Sequence, residues 1–138
     1  MTHYAMPTSL SIPYGDIDAE HQNLVDILNS IALSFKSKQD IGPNPYQSLL
    51  GNLLEALSVH FSHEEKEMAK LGYPELAKHK LGHALCYARF NAIFQTVISS
   101  HIEMSKELLD EIFDVIVSDM IGADSGFKTF LYDQSILR

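Results

Sequence analysis

Residues 50–71 have the sequence LGNLLEALSVHFSHEEKEMAKL, in which apolar side chains recur every three or four positions. This spacing places the apolar side chains on one face of an α-helix, because a helix completes a turn in about 3.6 residues. The same face also carries His60 and Glu64, two side chains that ordinarily avoid an apolar environment. The segment therefore predicts an amphipathic helix with a buried polar pair near its carboxyl end.

Three further segments show the same helical periodicity, and glycine and proline residues separate the four segments. The helices are predicted at about residues 17–37, 46–71, 75–98 and 103–121. The connections are short, and no strand pattern competes with the helices. We therefore predict an all-α fold, an up-down-up-down four-helix bundle with an irregular N-terminal leader and a short C-terminal tail. Residues 1–138 are expected to form a single domain.

The composition restricts the classes of partner. The chain has 138 residues, seven histidines, one cysteine and a formal net charge of −8, which disfavours nucleic acid and anionic membrane surfaces as partners. No apolar run reaches the roughly 18 residues that a membrane-spanning helix needs. The single cysteine cannot form an internal disulfide, and the first residues lack the pattern of a secretion signal. A cytoplasmic location is therefore expected.

Polar side chains lie on the apolar faces of all four predicted helices. They are His21, His60, Glu64, His79, His83 and Asp119. In an antiparallel bundle the start of the first helix lies beside the end of the second, the start of the third and the end of the fourth. The six positions therefore fall in one layer at one end of the bundle, and Asp124, just beyond the fourth helix, can fold back over that layer.

The spacing within this layer indicates a metal site. His60 and Glu64 are four residues apart, and so are His79 and His83, so each pair projects from one face of a helix. Four imidazoles and up to three carboxylates are too many ligands for one tetrahedral zinc ion and suit two six-coordinate ions. Such mixed donors favour iron, manganese or zinc, and the lack of cysteine among them excludes an iron–sulfur cluster.

Three stretches of the chain resemble the bacterial hemerythrins. They are IDAEHQNL at residues 17–24, HFSHEEKEM at residues 60–68, and GYP at residues 72–74 followed by two histidines. The resemblance covers about residues 12 to 132. It implies two non-haem iron ions bridged by carboxylates and by an oxo or hydroxo group. The implied ligands are His21 and His60 for one iron, His79 and His83 for the other, and Glu64 and Asp124 as bridges.

The chain departs from the family pattern at one ligand. The family's remaining ligand is a histidine five residues before the bridging aspartate, and Asp119 occupies that position here. Asp119 could bind the second iron directly, bind it through water, or leave that iron unbound. We favour binding, because an ionised carboxylate on an apolar face needs a nearby cation. His63 is turned about 100° away from Glu64. It is expected either to be solvated or to contact a metal-binding residue without binding the metal itself.

The resemblance also implies a function, namely the binding of dioxygen by a carrier or a sensor, with dioxygen or peroxide as the small ligand. An anionic donor at Asp119 should stabilise ferric iron, so altered reactivity or faster autoxidation is expected. A di-iron oxidase or peroxidase and an iron-storage or metal-sensing module are the alternatives. We favour a binding role over an enzyme, because no proton-relay or substrate-pocket residue is visible beyond the ligands.

Overall fold

The computed structural model describes residues 4–5, 11–36, 45–100, 105–119 and 124–138. All regular structure within these residues is helical. The helices are α1 (Ile17–Lys36), α2 (Pro45–Leu71), α3 (Leu76–Ser100), α4 (Lys106–Asp119) and α5 (Ser125–Asp133).

The first four helices form a closed bundle. Each of them packs against the next in chain order, and α1 also packs against α4. The predicted all-α four-helix bundle is confirmed, and the expected C-terminal tail contains a further short helix, α5. The expected ends of the fourth helix, residues 103 and 121, lie outside the described residues. None of the described helices is both long and apolar enough to cross a membrane.

The connection between α2 and α3 is a tight turn at Gly72. This residue has a φ of +69°, a left-handed conformation that glycine adopts without steric cost. The Gly72 N–H donates to the Ala69 carbonyl at 3.2 Å, and the Tyr73 N–H donates to the Met68 carbonyl at 2.9 Å. This pair of hydrogen bonds satisfies carbonyls at the helix end that would otherwise lack a partner. The turn sets α3 antiparallel to α2 without a long loop.

The N-terminal leader is fastened to the first turn of α1. The Asp18 carboxylate accepts a hydrogen bond from the Ile12 backbone N–H at 2.5 Å and another from the Ser11 hydroxyl at 2.6 Å. These two bonds hold the chain against the bundle just before α1, and Ile12 is consequently 1% exposed. The described part of the leader, residues 4–5 and 11–16, contains no helix, as expected, and Ile12 contributes to the core.

Two clusters of buried apolar side chains fill the bundle. The larger cluster includes Leu24, Leu57, Phe61, Cys86 and Phe90. The smaller cluster consists of Ile12, Ile17, Met68, Tyr73, Phe127 and Leu131. In α1, Ile17 of the smaller cluster precedes His21, and Leu24 of the larger cluster follows it. His21 therefore lies between the two apolar clusters, and Phe127 and Leu131 of α5 complete the smaller one.

Candidate metal centre

Six of the predicted ligands come together in the interior between the two apolar clusters. They are His21, His60, Glu64, His79, His83 and Asp124, and none of them is more than 3% exposed. We refer to these six residues as the His/carboxylate cluster. α1 contributes one of them, α2 and α3 contribute two each, and the last immediately precedes α5. The i, i+4 spacing places the paired side chains of α2 and of α3 on the inward faces of those helices.

Glu64 lies at the centre of the cluster, and each of its two oxygens faces a different pair of histidines. Its Oε1 lies 2.6 Å from His79 Nε2 and 3.1 Å from His83 Nε2. Its Oε2 lies 3.3 Å from His60 Nε2 and 3.8 Å from His21 Nε2. The carboxylate thus stands between two pairs of imidazoles.

Asp124 also lies close to one histidine of each of these two pairs. Its Oδ2 lies 3.0 Å from His21 Nε2, and its Oδ1 lies 3.2 Å from His79 Nε2. The nitrogen and oxygen atoms that could bind a metal ion consequently form two compact groups, in each of which all atoms lie within 4.8 Å of one another. One group is His21, His60, Glu64 and Asp124, and the other is Glu64, His79, His83 and Asp124. Both groups contain the same two carboxylates.

Several buried atoms of this cluster have no hydrogen-bond partner among the described residues. They are both ring nitrogens of His21, His60 Nε2, Glu64 Oε2 and both carboxylate oxygens of Asp124. A buried polar atom without a partner costs about 1–3 kcal/mol, so native proteins rarely leave several together. A metal ion accepts electron pairs from imidazole nitrogen and carboxylate oxygen at once. The residues present therefore fit a metal centre.

The carboxylates of the cluster make it strongly attractive to positive charge. Burial alone raises the pKa of Glu64, but the imidazoles of His60, His79 and His83, which face its two oxygens, outweigh burial and hold that pKa well below its usual value. Burial, followed by repulsion from Glu64, raises the pKa of Asp124. Two carboxylates in one dry site thus compete for the available positive charge, which a cation supplies more effectively than a single proton.

The histidines respond to the same charge. Burial alone lowers the pKa of His60, but Glu64, together with Glu20, reverses this effect and raises the pKa to about 9. Burial likewise opposes the charged form of His79, while Asp124 and Glu64 raise its pKa to about 10. Both shifts show that the carboxylates of the cluster favour positive charge at these two rings.

Two carboxylates outside the cluster accept hydrogen bonds from the Nδ1 atoms of two of its histidines. His60 Nδ1 donates to Glu20 Oε1 at 2.9 Å, and His83 Nδ1 donates to Glu65 Oε2 at 2.7 Å. Glu20 Oε2 also accepts a hydrogen bond at 2.5 Å from Nδ1 of His63, whose side chain is 56% exposed. Sequence reasoning did not identify Glu20 and Glu65, although each is adjacent in sequence to a residue of the cluster.

Aromatic side chains complete the surroundings. The Phe61 ring stacks on the His83 ring with a centroid separation of 3.8 Å and an interplanar angle of 11°. The Tyr73 ring approaches His79 edge-on at 6.4 Å. These contacts restrict the orientation of the two imidazoles of α3.

One predicted ligand is not among the six. Asp119 is the last residue of α4, but its side chain lies outside the part of the chain that the structure describes. Its proposed contact with a metal ion stays a prediction.

Comparison with known proteins agrees with this geometry. The family model described as Hemerythrin HHE cation binding domain matches residues 12–120. The chain is also similar to Myohemerythrin of Theromyzon tessulatum, with 27% identity over 126 residues that cover 91% of this chain and 91% of the relative. No solved structure gave a significant match. Because the family match spans most of the chain and includes every residue of the His/carboxylate cluster except Asp124, the chain belongs to the hemerythrin HHE cation-binding domain family.

Proposed function

We propose that this chain binds two non-haem iron ions and that the resulting centre binds dioxygen. The observation that carries the proposal is the pair of four-residue groups that share Glu64 and Asp124. Two cations can be bridged only by ligands that reach both of them, and these two carboxylates each face both histidine pairs. Mixed imidazole and carboxylate donors suit iron.

The proposed division of the ligands follows the distances. His21 and His60 would hold one ion, His79 and His83 would hold the other, and Glu64 and Asp124 would bridge them. The Nε2 atoms of all four rings face the two carboxylates at 2.6 to 3.8 Å. The Nδ1 atoms of His60 and His83 are engaged elsewhere, so Nε2 is the nitrogen left to bind metal in those two rings.

Bound iron would supply the electrons that reversible binding of dioxygen requires, and the resemblance to the hemerythrins supports dioxygen as the ligand. The chain itself holds the donors in place and excludes water from them. Buried Phe61 and Tyr73 line the two α3 histidines. A small uncharged molecule passes through such apolar surroundings at far lower cost than an ionic substrate does, which favours a gas as the ligand.

We further propose that Asp119 is a ligand of the iron held by His79 and His83. Its sequence position, five residues before Asp124, supports this role. An anionic carboxylate in place of a neutral imidazole favours the ferric state, so the centre should autoxidise more readily than one with histidine at that position.

Anaerobic reconstitution with ferrous iron tests this function. We expect close to two irons per chain and a change in visible absorption when the reduced protein meets air. Glu64→Ala should lose iron because it lacks a bridge, whereas Glu55→Gln, at an exposed position of the same helix, should retain both ions. A parent protein that binds no iron would refute the proposal. A stable content near one iron would contradict the role given to Asp119.

A further inference from the structure

Glu20 connects α1 to two histidines of α2. Its Oε1 accepts a hydrogen bond from His60 Nδ1 at 2.9 Å, and its Oε2 accepts one from His63 Nδ1 at 2.5 Å. The Glu20 side chain is 22% exposed, whereas the His60 side chain is 2% exposed. The partly exposed Glu20 carboxylate therefore accepts a hydrogen bond from Nδ1 of the buried His60 ring. The exposed His63 donates a hydrogen bond to the other oxygen of the same carboxylate.

Glu65 has the equivalent position between α2 and α3. Its Oε2 accepts a hydrogen bond from His83 Nδ1 at 2.7 Å, and its side chain is 25% exposed. His60 and His83 belong to different ligand groups of the cluster. Each group thus contains one histidine whose Nδ1 is held by a carboxylate on a neighbouring helix.

This arrangement has a specific consequence for an imidazole. A neutral ring carries one proton, so a hydrogen bond from Nδ1–H leaves the lone pair on Nε2. The carboxylate also fixes the plane of the ring, because the bond is directional. His60 Nε2 and His83 Nε2 both face Glu64, at 3.3 Å and 3.1 Å. The outer carboxylates therefore direct the unprotonated nitrogen toward the interior of the cluster.

We propose that Glu20 and Glu65 are positioning residues for the two halves of the metal centre. Glu20 sets the tautomer and orientation of His60, Glu65 does the same for His83, and His63 holds Glu20 in the orientation that reaches His60. This inference rests on the proposed metal binding and extends it to side chains that would not touch the ions.

Cobalt(II) binding provides the test, with affinity measured by competition against a chelator and followed by the visible absorption of the bound ion. Removing a residue that orients a metal-binding histidine typically weakens binding about 10–100-fold. We expect losses of that size in Glu20→Ala and in Glu65→Ala. Glu20→Gln and Glu65→Gln retain an acceptor oxygen for Nδ1–H and should recover most of the affinity. Glu55→Ala, an exposed control on α2, should bind like the parent.

Thermal melting of metal-free and cobalt-loaded protein separates positioning from a general structural role. Positioning predicts that the alanine variants melt near the parent temperature without metal and lose part of the increase that cobalt produces. An equal fall in both states, or parental cobalt affinity in both alanine variants, would overturn the inference while leaving the metal centre intact. A parent that binds no cobalt or iron would instead refute the proposed function itself.

Discussion

Removal of metal from the iron-loaded protein should lower its stability by several kcal/mol. Six buried nitrogen and oxygen atoms of the His/carboxylate cluster lack a hydrogen-bond partner among the described residues. At about 1–3 kcal/mol for each such atom, the total would reach at least about 6 kcal/mol. That value is comparable with the whole stability of a typical domain, about 5–15 kcal/mol.

The net loss should be smaller than this total, because protons relieve part of the cost. The raised pKa values of His60 and His79 mean that these rings become charged and pair with Glu64 and Asp124 once metal is gone. A ligand at one hundred times its Kd contributes about 2.7 kcal/mol. We therefore expect a loss of about 3–6 kcal/mol. For a chain of this size each kcal/mol shifts Tm by about 3–4 °C, so Tm should fall by about 9–24 °C.

Scanning calorimetry of loaded and chelator-treated protein measures this difference directly. Glu64→Ala, which lacks the central carboxylate, should show little dependence of Tm on metal. Glu55→Gln should behave like the parent, because the position is exposed. An unchanged Tm after verified removal of iron would refute the reasoning. So would an equal fall in Glu64→Ala, because the stabilisation would then come from a different site.

Two further substitutions have definite expected outcomes. Gly126→Ala would place a Cβ 2.8 Å from the Tyr73 hydroxyl, and the cost of overpacking, about 1–3 kcal/mol, exceeds the helix-propensity gain of at most about 1 kcal/mol. Urea denaturation should therefore show a net loss that disappears in a Tyr73→Phe background, and an equal loss in both backgrounds would disprove the contact. Asp119→His should slow autoxidation in air, followed by stopped-flow absorbance at equal iron content. Equal or faster oxidation in the variant would exclude Asp119 as the cause of faster autoxidation. A gain of iron in the variant would show that the parent binds only one ion.

Spacing along the chain was sufficient to identify the inward-facing polar residues. His60 and Glu64 are one helical turn apart, and so are His79 and His83. A helix with an apolar face toward the core must direct both members of such a pair inward, whatever its neighbours are. The antiparallel order of the helices then predicts that the pairs share one layer. The structure places these four residues, with His21 and Asp124, in one buried cluster.

The hydrogen bonds that Glu20 and Glu65 accept from the histidine Nδ1 atoms depended on the tertiary structure. Glu20 and Glu65 are each one position away from a residue of the cluster, which turns them about 100° to the side of the helix. Nothing in their spacing shows whether such a side chain meets solvent or the next helix. That outcome depends on how closely α1, α2 and α3 approach one another and on their relative rotation. Here the approach is close enough for Glu20 to reach His60 and for Glu65 to reach His83.

The closure of the cluster also depended on tertiary packing. The tail after Asp124 has only a short apolar pattern, and an isolated helix of nine residues is marginal in water. α5 is stabilised because Phe127 and Leu131 pack with Met68 and Tyr73 in the smaller apolar cluster. Local sequence determined the inward faces of the helices, since helical periodicity is a property of each segment alone. Contacts between segments decided what surrounds the His/carboxylate cluster, since these contacts arise only when the helices pack together.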